Sequence, residues 1–337
     1  MCSSDLGPPL RARHALRDEV GQQRFEQFAF QRHWRSLKDE AAMLGVGLIG
    51  DLPIFVAHDS ADVWAHRELF FLDPQGQPTV IAGVPPDYFS VTGQRWGNPL
   101  YRWEEIERTG FRWWRQRFGR LLSLFDAVRL DHFIGFTRYW EIAADEPTAQ
   151  NGRWIPGPGA RLFEALGKAQ LIAEDLGAVT SEVTALREQF GFPGIKLLQF
   201  AFGTDPQAPS FLPHNYERNS VAYTGTHDND TTAGWFHEKD SPQRSKEQAE
   251  KERRAALEHL GSSGREIHWE MIRAVWASVA NLAVVPVQDL LGLGSEARMN
   301  LPGTVQGNWE WRLAELPGPE IKERLRELTR IFGRSAR

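Results

Sequence analysis

From residue 100 onward, short apolar runs alternate with longer helical patterns, and nearly every run ends on an acid, an amide or a histidine. Ala127-Val128-Arg129-Leu130-Asp131, Leu171-Ile172-Ala173-Glu174-Asp175, Gly194 to Phe200, Ser220 to Thr226 and Ala283 to Gln288 read as strands. The helical patterns between them fall near 101–120, 160–168, 179–189, 243–259 and 266–278. This alternation predicts βα units with parallel strands. An earlier run, Val46 to Val56, follows a helix-rich stretch in which Phe25, Phe28, Ala29, Trp34, Leu37, Ala41 and Leu44 recur at helical intervals. The polar residues at the strand ends are Asp51, Asp131, Glu174, Gln199, His227 with Asp228, and Gln288 with Asp289. A doubly wound sheet focuses on one crevice, whereas a closed barrel brings all its carboxyl strand ends around one pit. The expected fold is therefore α/β, a (β/α)8 TIM-type barrel. Six strands are visible against the eight of a standard barrel, so the barrel reads as incomplete at its N-terminal side.

Charge and composition narrow the function. A formal net charge of −5 gives no case for a phosphate backbone as partner, so nucleic acid is not expected. Cys2 is the single cysteine, which excludes an internal disulfide and a cysteine metal cluster and suits a reducing compartment. No run of eighteen or more apolar residues offers a membrane span, and the first ten residues lack the apolar core of a signal peptide. Gly45, Gly47 and Gly50 fit G-x-G-x-x-G, but they lead from a helix into a strand, the reverse of the dinucleotide fingerprint. Neither a G-x-S-x-G elbow nor a phosphate-binding G-x-x-x-x-G-K-[ST] loop is present. Thirteen Trp against five Tyr supply broad flat surfaces suited to stacking on a sugar ring, although the same side chains serve equally as core packing.

The chemistry resides in acids. Residues two apart on a strand face the same side, so Arg129 and Asp131 point together. An arginine there is expected to keep Asp131 ionised and lower its pKa, as a nucleophile requires; the same pair could be a structural ion pair. Glu174 follows an apolar strand whose mouth would raise its pKa toward neutrality, the condition for a general acid. Asp175 alternates away and is expected to support a loop. His132 is read as structural or as part of the pocket wall. Thr226 to Thr232 packs one imidazole among carboxylates with no metal-site spacing, so hydrogen bonding to ligand hydroxyls is the better reading. Residues 57–99 read as a long, mostly irregular loop system carrying Tyr88, Phe89 and Trp96 as a movable aromatic wall. Acids with aromatic walls are the means of cleaving glycosidic bonds.

Several ordered segments resemble the 4-α-glucanotransferase family, also called amylomaltase or disproportionating enzyme, within the wider α-amylase superfamily. They are Gly50-Asp51-Leu52-Pro53-Ile54-Phe55-Val56, Asp59 to Trp64, Pro85-Pro86-Asp87-Tyr88-Phe89, Gly93-Gln94-Arg95-Trp96-Gly97-Asn98-Pro99 and Arg129-Leu130-Asp131-His132-Phe133. The set continues with Ile172 to Gly177, Tyr223 to Asn229, Arg298 to Thr304 and Asn308 to Arg312, so that it covers roughly residues 40–313. The resemblance implies Asp131 as nucleophile, Glu174 as general acid/base and Asp228 as the third carboxylate holding sugar hydroxyls. Arg129, His227, Asp51, Pro53, Tyr88, Phe89, Trp96 and Asn98 would bind substrate. It implies a retaining transfer of α-1,4-glucan segments from malto-oligosaccharides to the 4-hydroxyl of an acceptor such as glucose or maltose. No cofactor or metal is expected, no membrane partner, and a cytoplasmic setting. A hydrolase of the amylase superfamily and an inactive glucan-binding fragment are the alternatives. Family members carry leading strands before the Gly50-Asp51 segment, so the chain reads as N-terminally truncated. Residues 1–15 are read as a non-family leader and 16–337 as the catalytic barrel domain, with loop insertion 57–99 and a closing helix at 318–331.

Overall fold

The computed structural model describes residues 12, 14–86, 92–177, 179–238, 244–304 and 306–335. Six parallel strands form the main sheet: β1 (Ile49–Pro53), β4 (Ala127–Asp131), β7 (Leu171–Ala173), β8 (Gly194–Leu197), β9 (Ser220–Tyr223) and β10 (Leu282–Val284), hydrogen-bonded in that order. The interior strands β7 and β9 are buried along their whole length, as parallel strands covered by helices must be. The outer strands are different. β1 alternates exposed and buried residues, and Ile49 and Leu282, on the two edge strands, stand in solvent at 46% and 38% exposure. Among the described residues the sheet stays open between β1 and β10, in keeping with the incomplete barrel expected from the sequence.

A second sheet was not legible in the sequence. β2 (Val80–Val84), β3 (Gln94–Pro99), β5 (Arg138–Ala143) and β6 (Arg153–Pro156) pair antiparallel in the order β3-β2-β5-β6. The segment read as mostly irregular therefore contributes two strands, besides a short helix Ala61–Ala65 whose N-terminus Ser60 caps through Val63 N. A small apolar cluster of Ile81, Ile142 and Ala149 joins β2 to β5 and the turn beyond it. Tyr88 and Phe89 lie outside the described residues.

Two large apolar clusters support the main sheet. One packs Leu52, Val128 and Leu130 against Trp114, Phe118, Phe133 and Phe163; the other packs Ile195, Val221 and Ala222 against Trp269, Ile272 and Val275. The helical stretch expected over 101–120 is two helices, Trp103–Arg108 and Arg112–Leu124, separated by Gly110 and Phe111, both with positive φ. The helix Arg17–Met43 forms where the helical spacing placed one; none of its residues is buried, and Phe25, Phe28 and Leu37 face solvent. It is tied down through Trp34, whose Nε1 donates to the Leu124 carbonyl at 2.9 Å, and through a Lys38–Asp126 ion pair at 3.3 Å. A further helix spans Pro319–Ile331. No helix among the described residues is long and apolar enough to cross a membrane.

Three of the polar strand-end residues do internal work. Gln199 donates to the Asp230 carbonyl at 2.9 Å, and Gln288 to that of Ala297 at 3.2 Å. Asp289 lies in the short helix Val287–Leu291 beyond β10, at 1% exposure. It accepts from Thr224 Oγ1 at 2.6 Å and from Thr232 N and Oγ1 at 2.7 Å each, joining β9 to the helix Thr232–His237. Asp289→Ala would leave three buried donors unmatched, and a loss of about 3 kcal/mol is expected in urea unfolding.

Candidate active site

Register decides which side chains meet. β1 and β4 pair Asp51 with Arg129 and Pro53 with Asp131, while β4 and β7 pair Leu130 with Ala173. Asp131 is thus the last residue of β4, and Glu174 follows the last residue of the neighbouring β7. Glu174 N donates to the Leu130 carbonyl at 3.0 Å and Phe133 N to the Glu174 carbonyl at 3.0 Å, which locks the two strand ends together. The expected shared face of Arg129 and Asp131 is observed: Arg129 Nη1 lies 3.0 Å from Asp131 Oδ1.

The same nitrogen also lies 2.8 Å from both carboxylate oxygens of Asp51. This sharing corrects the expectation for Asp131. Burial pushes its carboxyl above the ordinary range, Arg129 pulls it back, and the charges of Asp51 and Asp228 push it up again, so the net shift is upward. Sequence proximity pointed to one cation beside one acid; the fold supplies one cation among three acids. The Glu174 carboxyl is shifted in the expected direction, pushed up to about 8 first by burial and then by the charge of Asp131. It is therefore mostly neutral at pH 7, and Arg129 favours the ionised form of Asp131 against burial.

Asp228 stands on the loop after β9. Thr226 N and Oγ1 both donate to Asn229 Oδ1, at 2.8 and 3.0 Å, making a tight polar turn. Asp228 is then held from a distant segment: Asn300 Nδ2 donates to its Oδ1 at 2.6 Å and Arg298 Nη2 to its main-chain carbonyl at 2.8 Å. His227 Nε2 lies 3.4 Å from Asp228 Oδ2, and the ring of Trp309 packs 5.0 Å from that of His227. Asn300 and Trp309 lay inside segments quoted for the family resemblance but were not singled out; their contacts, more than 70 residues away, leave no local pattern.

On the β1 side, Trp96 stands at 38% exposure, with its ring 4.8 Å from that of His132 and 6.4 Å from that of Phe55. Asn98 Nδ2 donates to the Val56 carbonyl at 3.0 Å, and Pro53 offers its carbonyl to Arg117 Nη2 at 2.8 Å, so both residues brace the loop after β1. Asp175 is turned away, as expected: it accepts from Ile195 N at 2.9 Å and pairs with Arg187 at 3.2 Å. Its carboxylate occupies the place where a Cβ on Gly194 would sit, 2.6 Å away, which requires glycine there. A cavity of about 530 Å³ beside His237, Arg265 and His268 lies apart from the carboxylates, whose side chains border solvent. Among the described residues no group of three or more His, Cys, Asp or Glu side chains is arranged to hold a metal ion.

Acids gathered at the carboxyl ends of parallel strands are the arrangement of αβ-barrel proteins that keep their reactive residues on that rim. Residues 9–317 match the family described as 4-alpha-glucanotransferase, and the chain belongs to that family. It is 54% identical over 334 residues to a 4-alpha-glucanotransferase of Thermus thermophilus, covering 94% of this chain and 64% of the relative. A relative named 4-alpha-glucanotransferase from Synechocystis is 50% identical, with 95% of this chain and 63% of the relative covered. An amylomaltase from Streptococcus agalactiae, solved in complex with acarbose, superposes with a TM-score of 0.89 at 37% identity, covering 96% of this chain and 65% of that one. The chain thus spans about 64% of the length of the first of these relatives.

Proposed function

We propose that this chain carries the catalytic acids of an α-1,4-glucan transferase working by retaining double displacement. Glu174 protonates the leaving glycosidic oxygen while Asp131 attacks the anomeric carbon, giving a glycosyl ester on Asp131. Glu174, now a carboxylate, takes the proton from the 4-hydroxyl of an incoming sugar, which attacks the same carbon and releases Asp131. The observation that carries this reading is the pair of acids on adjacent strand ends with Glu174 pushed up to about 8. Adjacent strands lie about 4.8 Å apart. Retention uses carboxyls about 5 to 5.5 Å apart, within reach of side chains leaving neighbouring strand ends. Asp228, held by Asn300, would grip hydroxyls of the sugar at the reacting centre, with Arg129 and His227 beside it. Asp51, Pro53, Trp96, Asn98, Tyr88 and Phe89 would shape the glucan path. The acarbose bound to the Streptococcus agalactiae amylomaltase supports an oligosaccharide ligand of this class, with malto-oligosaccharides as donors and glucose or maltose as acceptors. A cytoplasmic setting fits such substrates.

Incubation with maltotriose tests the reading. Glucose appearing together with oligomers longer than the trisaccharide is the expected result; only glucose and maltose would make the chain a hydrolase. The pH dependence follows from the acids. Glu174 must be protonated for the first half-reaction, so that step is expected to slow as pH rises through about 8. Asp131 must be ionised, so the step also slows toward acid, with a midpoint above the ordinary range of an aspartate. Single-turnover rates from pH 4 to 10 would show both limbs.

A further inference from the structure

His132 is a non-glycine residue in the left-handed region, at φ +53°, immediately after Asp131. A histidine there is uncommon and costs conformational energy unless its surroundings hold it. Its backbone N–H donates to Glu174 Oε2 at 2.7 Å, and its carbonyl accepts from Gly135 N at 2.9 Å. Its Nε2 is buried without a hydrogen-bond partner among the described residues, Trp96 packs edge-on against the ring at 4.8 Å, and a Cβ on Gly135 would touch its Cδ2 at 3.1 Å. Alternation continued past β4 would point His132 away from the acids, and its ring packs against Trp96 and Gly135. Its main chain turns to Glu174.

We propose that His132 is the positioning residue of the acid/base: its left-handed turn aims the main-chain N–H at Glu174 Oε2, which confines the transferable proton to Oε1, and its ring, wedged against Trp96, holds the turn. This rests on the reading of Glu174 as the acid/base. The chemistry follows from valence. An oxygen that accepts a short N–H bond is a poor site for a proton, so the neutral acid carries its hydrogen on the other oxygen. The N–H bond also favours the carboxylate, and it opposes burial and the charges of Asp131 and Asp175, while Arg129 acts with it. Arg187 and Lys196 act on Asp175 rather than on Glu174 directly. Burial pushes the His132 ring down to about 4, so it adds no charge beside the acid at neutral pH. Trp96, at the edge of the glucan path, thereby shares one residue with the proton donor.

The test needs no variant at position 132 to begin with. In the full chain labelled with ¹⁵N and with ¹³C-carboxyl glutamate, the His132 amide proton should shift with pH at the same midpoint as the Glu174 carboxyl. That shift should vanish in Glu174→Gln. An amide that does not respond between pH 5 and 10, or a response that survives Glu174→Gln, overturns the proposal. His132→Asn tolerates the left-handed region but lacks the ring wedged against Trp96, so it should raise the Glu174 midpoint by less than His132→Val does. His132→Val, β-branched and disfavoured there, should raise the midpoint by about one pH unit and move the basic limb of the transfer rate with it. A Val variant that titrates like the parent also overturns it. If the amide titration persists but transfer shows no limb near pH 8, the contact stands and the acid/base role falls, so the two failures are separable.

Discussion

Asp131→Asn is expected to abolish transfer, by about 10⁴-fold or more in kcat/KM on maltotriose, while the protein stays folded. An amide of the same shape keeps the space at the end of β4 but cannot form the glycosyl ester. Arg129 loses one of two acidic partners and keeps the other, because both Asp51 oxygens lie 2.8 Å from its Nη1. The stability change has a definite sign. The Asp131 carboxyl is pushed up on folding, so its ionised form costs folding free energy at any pH above that raised value. A neutral asparagine removes the cost, and the variant should be as resistant to urea at pH 7 as the parent, or slightly more so. Such an exchange of stability for activity is common where acids are crowded to do chemistry. A variant keeping more than a few per cent of activity would place the nucleophile elsewhere. So would a Glu174→Gln variant which, quenched during turnover of maltosyl fluoride, shows no glycosyl mass on the peptide containing Asp131.

The acids could be read before the structure because the physics that places them is local. A strand has period two, which put Arg129 and Asp131 on one side, and a parallel sheet with helical crossovers presents all its carboxyl ends together. What escaped the reading depends on partners far along the chain. β2 and β3 pair with an irregular register, and β2 is held on its other side by β5, about 60 residues on. Asn300 meets Asp228 across 72 residues. The upward shift of Asp131 comes first from burial and then from the charge of Asp51, which shares the guanidinium across 78 residues; the sequence announces neither. The helix Arg17–Met43 forms where its apolar spacing predicted one, but that spacing did not show which residues would be covered: Trp34 packs on Phe125, while Phe25, Phe28 and Leu37 face solvent. His132 shows the limit of alternation itself. The two-residue period holds only while the strand continues, and the positive φ that follows Asp131 turns the main chain of His132 toward Glu174.

Glu174→Gln should separate the two halves of the reaction. With maltotriose as donor, loss of the proton to the leaving oxygen is expected to cost about 10²- to 10⁴-fold. Donors whose leaving group needs no proton should escape most of that loss in the first half-reaction, so maltosyl fluoride should form the Asp131 ester at a rate near that of the parent. The second half still lacks its base, because a glutamine cannot deprotonate the 4-hydroxyl of an acceptor, and the ester should accumulate. Azide, an anion that attacks without giving up a proton, should then discharge it. Two inversions at the anomeric carbon make the product the α-glycosyl azide. The fall in the parent's rate above about pH 8 should be absent from the variant, since the group responsible for it is gone. Gln also keeps an oxygen to accept the His132 N–H, now 2.7 Å from Oε2, so the strand ends should remain docked and the loss can be assigned to proton transfer. Equal losses on the fluoride and on maltotriose, or a basic limb unchanged in the variant, would move the acid/base role to another residue.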